Sequence, residues 1–196
     1  MPPVTLALLA ANIAAFVLQN MLGGQAVLWF ALWPPSVPGA PAFEPWQLIT
    51  YGFLHGGLGH LFFNMLALYM FGPELERLFG ARFFLNYYLV SVITAALTHL
   101  VVTGWMGAPP APMVGASGAM FGLLLAYGWV FPQRKLLLIF LPVPLPSRVF
   151  VALYGILELA LGVTGTASGI AHFAHLGGML GGFLMIQWRR GGFPFR

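Results

Sequence analysis

The sequence predicts an all-α membrane protein, a bundle of six transmembrane helices, and three observations carry that prediction. Of its 196 residues, 60% are hydrophobic and only 6% are charged. The apolar residues gather in runs of roughly 17–22, long enough to cross a hydrocarbon layer of about 30 Å. The basic residues sit at the ends of alternate runs rather than along them. Six spans leave little chain for connections, so residues 1–196 read as a single membrane domain.

The first span covers about 4–22, where no basic stretch precedes Val4 and no cleavage site follows Leu22, so it reads as a helix and not as a signal peptide. An outward segment from Gly23 to Pro45 follows, with Trp29, Trp33, Pro34, Pro35, Pro38 and Pro41. Aromatic, Pro-broken sequence of this kind suits the membrane interface, as an anchor or as a wall over a site. The remaining spans fall at about 47–71, 83–103, 116–131, 148–164 and 170–188.

Charge sets the orientation. Arg77 and Arg82 follow the second span, Arg134, Lys135 and Arg148 the fourth, and Arg189, Arg190 and Arg196 the sixth. All eight basic residues therefore lie on one side, which places both termini in the cytoplasm. The net charge of +4 is then topological, and the scattered cations make no nucleic-acid face. With no cysteine, disulfides, thiolate metal sites and cysteine nucleophiles are excluded.

Polar groups at membrane depth are costly and mark function. The second, fourth and sixth spans run in the same direction and each ends at a basic residue, so depth can be counted along them. At about 1.5 Å per residue, Ser117 lies roughly 25 Å above Arg134 and His175 roughly 21 Å above Arg189. His60 and Asn64 lie roughly 25 and 20 Å above Arg77, in the same layer and four residues apart on one helix face. Gly118 and Gly122 on the fourth span, and Gly177, Gly178, Gly181 and Gly182 on the sixth, let two backbones approach closely beside Ser117 and His175.

A hydroxyl and an imidazole at one depth suggest a nucleophile and a general base. The chain has no aspartate, so a Ser-His-Asp triad is excluded. A dyad remains, with packing of His175 against Phe121 in place of an orienting carboxylate. His60, Asn64 and the Ser117 amide are candidate donors to a developing oxyanion. His172 competes with His175 for the role of base, but only His175 carries the run of small residues. His55 reads as a loop or cap partner and His99 as interfacial. Glu158, about ten residues into the fifth span, reads as neutral, hydrogen-bonded or gating.

These residues resemble the rhomboid family of intramembrane serine proteases. The pattern His55-x4-His60-x3-Asn64, the Gly72…Glu76…Gly80 stretch, Gly115-Ala116-Ser117-Gly118 and Ala174-His175-x-x-Gly178-x-x-x-Gly182 occur in the family's order and cover nearly the whole chain. The resemblance implies a six-helix rhomboid core with Ser117 as nucleophile and His175 as base. It implies an oxyanion hole from His60, Asn64 and the Ser117 amide, supported by Gly115, Gly118, Phe121, Gly178 and Gly182. It further implies cleavage of transmembrane protein substrates near the outer ends of their membrane segments, in the lipid bilayer, without metal, nucleotide or other cofactor and without nucleic acid. With no appended domain, the chain looks like a minimal bacterial form, a multi-pass protein of the inner membrane. Two positions depart from the family: Trp46 is followed by Gln47 where arginine is usual, and Phe121 stands where tyrosine is frequent.

Two other classes are weighed beside it. A non-enzymatic rhomboid-like binding protein would keep the fold and lose the dyad, yet both members are present. A haem or metal carrier would use His55, His60, His172 and His175 as ligands, but no H-E-x-x-H motif occurs and carboxylates are scarce.

Overall fold

The computed structural model describes residues 1–35, 41–106, 111–138, 141–164 and 172–191. Among these the chain forms α1 (Pro3–Leu22), α2 (Gly24–Phe30), α3 (Gln47–Thr50), a 3₁₀ turn (Tyr51–Phe53), α4 (Leu58–Phe79), α5 (Ala81–Met106) and α6 (Ser117–Val130). Then come strands β1 (Lys135–Leu138) and β2 (Leu141–Pro146), followed by α7 (Ser147–Thr164) and α8 (His172–Arg189). Of these helices α1, α5 and α7 are long and apolar enough to cross a membrane by length and composition alone. The helical bundle is that of an integral membrane protein.

Three sequence expectations are corrected here. The span expected at 47–71 is α3, the 3₁₀ turn and α4, broken at Leu54–Gly57 where Gly56 and Gly57 interrupt the helix. Its inner end runs on to Phe79, past Pro73, since proline forfeits only one helical hydrogen bond and the following turn is tied down elsewhere. The purely helical expectation also missed a hairpin, in which β1 and β2 pair antiparallel with a register shift between Leu136 and Leu138. The expected start of the sixth span at 170, together with Pro38 and Arg196, lies outside the described residues.

The tie on α4 is Glu76. Its carboxylate accepts hydrogen bonds from the Val4 and Thr5 amides at 2.9 and 2.7 Å and from the Thr5 hydroxyl at 2.7 Å. It thus satisfies orphan donors at the start of α1 and favours the positive end of that helix dipole. At the opposite end Gln47 is fully buried, accepts from the Trp33 amide at 3.3 Å and donates to the Trp29 carbonyl at 3.4 Å. Gln47 therefore anchors the outward segment where arginine is usual in the family.

At the centre, α6 is buried along nearly its whole length and packs on α8, which also lies against α5. Tyr87 and Tyr88 of α5, with Leu68 and Leu75 of α4 and Leu123 of α6, fill the interior. The Tyr87 hydroxyl donates to the Gly122 carbonyl at 2.7 Å, so the core tyrosine spends its polar end on the backbone of α6. Glycine decides how closely α6 and α8 meet. A Cβ on Gly178 would overlap the Gly118 backbone, and one on Gly182 would overlap Tyr87.

Candidate active site

The first residue of α6 is Ser117. The strand-like segment before it is held by an isolated bridge between Leu32 and Met113 and by a hydrogen bond from the Gly115 amide to the Tyr51 carbonyl at 2.9 Å. Gly115 has φ +126, a region that side chains avoid, and a Cβ there would stand 2.6 Å from Cε1 of His60. Only glycine allows the chain to turn into α6 with His60 pressed against it.

Close approach of α6 and α8 brings the Ser117 hydroxyl within 2.8 Å of His175 Nε2. The ring of Phe121, one turn along α6, stacks on the His175 ring with centroids 4.3 Å apart and an interplanar angle of 7°. Tyr154 of α7 stacks on Phe121 in turn, at 5.0 Å and 21°. The sequence left His175 without an orienting carboxylate, and this is corrected: Glu158 Oε2 lies 2.8 Å from His175 Nδ1 and 2.7 Å from His172 Nδ1. His172 thus turns to Glu158, while His175 alone reaches Ser117. Of the three helices long and apolar enough to cross a membrane, only α7 carries an acidic residue, Glu158, and a carboxylate so placed needs a partner. Sequence could not show that its partners are two histidines 14 and 17 positions away.

On α4, Asn64 donates through Nδ2 to the His60 carbonyl at 2.8 Å, which engages one amide hydrogen and leaves the other. His60 Nδ1 accepts from the Gly56 amide at 3.2 Å, which puts the ring proton on Nε2, the edge turned to Gly115. His55 is buried, its ring edge-on to His60 at 5.1 Å, and its backbone is clasped by Gln19 at 2.8 and 2.9 Å. His99 has Nε2 3.5 Å from the Thr103 hydroxyl. His60, Asn64, Ser117, His175, Phe121 and His99 all line one cavity of about 1060 Å³. Glu158 and His172 are not in its lining and stand behind His175.

Fold and site together define a membrane-embedded helical bundle with a largely apolar cavity into which a serine, an asparagine and histidines are set. The rhomboid-domain family model matches residues 42–190, and the chain belongs to the rhomboid family. It is 34% identical over 186 residues to the putative rhomboid protease YdcA of Bacillus subtilis, covering 86% of each chain. It is 36% identical over 141 residues to the rhomboid protease GluP of Bacillus subtilis, 71% of this chain and 25% of that one. It is 32% identical over 134 residues to the rhomboid protease GlpG of Klebsiella pneumoniae, 67% of this chain and 45% of that one. The matched part is thus a quarter to less than half of GluP and GlpG.

Proposed function

We propose that this chain is an intramembrane serine endopeptidase that hydrolyses peptide bonds in or near transmembrane segments of membrane-protein substrates. The observation that carries the reading is the 2.8 Å contact between the Ser117 hydroxyl and His175 Nε2. His175 takes the Ser117 proton as Oγ bonds to the substrate carbonyl carbon. The oxyanion that forms is met by His60 Nε2–H, the free amide hydrogen of Asn64 and the Ser117 amide. His175 passes the proton to the leaving amine as the C–N bond breaks. Water then attacks the acyl-enzyme, giving one proton to His175, and Ser117 recovers its proton as the acid product leaves.

Residues 1–196 act in this reading as one six-span domain with both termini cytoplasmic, in a bacterial inner membrane. The spans are α1, α4, α5, α6, α7 and α8. At about 1.5 Å per residue α6 is only about 21 Å long, against a hydrocarbon layer of about 30 Å. Its N-terminal Ser117 is therefore recessed below the outer surface, within reach of water through the cavity. Substrate reaches it laterally between α4 and α7, since α7 packs on α6 and α8 while α4 packs on α1, α5 and α6. The bound helix must unwind, because helical hydrogen bonding hides the scissile bond.

The test is covalent labelling by a fluorophosphonate in detergent, scored by intact mass for the wild type, Ser117→Ala and His175→Ala. Labelling that needs both residues is expected. A folded wild type that stays unlabelled, beside a rhomboid control that labels, would overturn the protease reading in favour of a binding protein.

A further inference from the structure

The reaction just described assigns no task to the buried carboxylate behind it, and we infer that Glu158 is a positioning residue that holds His175 through Nδ1–H so that Nε2 faces Ser117, with His172 as a second donor that fixes Glu158. The inference rests on the protease reading and deepens it.

One oxygen, Glu158 Oε2, receives both histidines, at 2.7 Å from His172 Nδ1 and 2.8 Å from His175 Nδ1. A carboxylate only accepts, so both rings carry a proton on Nδ1. For His175 this leaves Nε2 bare, as a base toward the Ser117 hydroxyl requires. His172 agrees independently: its Nε2 is buried and meets no partner among the described residues, so a proton there would be a buried donor without an acceptor among them. Glu158, only 4% exposed, has two N–H groups facing it, the compensation a buried carboxylate demands.

Phe121 and Glu158 constrain different motions. The stacked Phe121 ring, at 7° to the imidazole, sets the ring plane but does not distinguish its two edges. The hydrogen bond to Glu158 selects the edge, and so the nitrogen, that meets Ser117. Charge adds to this. When His175 takes the Ser117 proton, its cationic ring lies against the carboxylate, an attraction absent from the resting site and present as the bond is made. Tyr154 and Glu158 are four apart on α7, so one helix face supplies both the outer ring of the stack and the carboxylate.

Glu158, His172 and His175 also hold donor atoms within 4.8 Å of one another, a set that zinc accepts. The two contacts at 2.7 and 2.8 Å, however, are hydrogen-bond lengths between ligand atoms, closer than a metal set would place them.

The test combines the nitrogen NMR spectrum of histidine-labelled full-length protein in micelles with steady-state cleavage of a transmembrane substrate. Signals are assigned with His172→Gln and His175→Gln, and the positioning variants are Glu158→Gln and Glu158→Met. Wild-type His175 and His172 are each expected to show a protonated Nδ1 and a bare Nε2. Both Glu158 variants are expected to mix the His175 tautomers and to lower kcat about 10²- to 10⁴-fold, with KM little changed. A wild-type His175 protonated on Nε2, or a folded Glu158→Met with wild-type kcat and tautomer, overturns the inference. If the wild type neither cleaves nor labels, the protease reading falls, and the tautomer still decides the role of Glu158. If the variants do not fold, the wild-type spectrum decides it alone.

Discussion

Gly178 and Gly118 meet backbone to backbone, with the Gly118 carbonyl occupying the place a Cβ on Gly178 would take. That contact sets the separation of α6 and α8, and with it the reach from Ser117 to His175. Gly178→Ala should destabilise the bundle by about 1–3 kcal/mol through overpacking, and should lower turnover further by pushing the two side chains apart. An unfolding midpoint and a cleavage rate both equal to wild type would show that the helices yield freely at this point.

Stacking makes a smaller demand. Phe121→Ala should lower kcat about 2- to 10-fold, the worth of an aromatic pair, while Phe121→Tyr keeps the ring and should stay within about twofold. Substrate cleavage by the two variants side by side separates the ring from its substituent.

Asn64 is expected to matter in the transition state only. Asn64→Ala should lower kcat about 10²- to 10³-fold and leave KM nearly unchanged, whereas Ser117→Ala should abolish turnover and labelling altogether. A KM effect larger than the kcat effect would mean that Asn64 binds substrate rather than the oxyanion.

Glu76 separates stability from chemistry. Its removal strands the Val4 and Thr5 amides at the start of α1, so Glu76→Ala should cost about 1.5–3 kcal/mol in denaturant unfolding. Because Glu76 is not in the lining of the cavity, the kcat of the folded fraction should match wild type.

Substrate sequence should report the unwinding step. Replacing a leucine near the cut by glycine lowers helix stability by about 1 kcal/mol, which predicts cleavage about fivefold faster. Equal rates for a uniformly Leu-rich segment and its glycine variant, measured in the same liposomes, would remove unwinding from the rate.

Much of the site was legible in the sequence because depth is linear along a helix. Counting from Arg134 and Arg189 placed Ser117 and His175 in one layer, and the glycines beside them announced two backbones in contact. Gly115 and Gln47 were harder to read. The first shows its purpose only through φ +126 and the ring of His60, and the second only through the Trp29 and Trp33 backbone it binds.

The sequence by itself determined the membrane class, the order of the helices and which polar residues fall at matching positions along them, since apolar length and periodicity are local properties of the chain. Tertiary structure alone decided that α4 begins only after the break at Gly57, that a hairpin joins α6 to α7, and that His172 turns away from Ser117. It also decided that a glutamate on α7 stands behind His175. The physical reason is that the rotation of each helix about its own axis is set by packing against its neighbours. No single segment encodes that rotation, and it alone determines whether Glu158 meets a histidine or lipid.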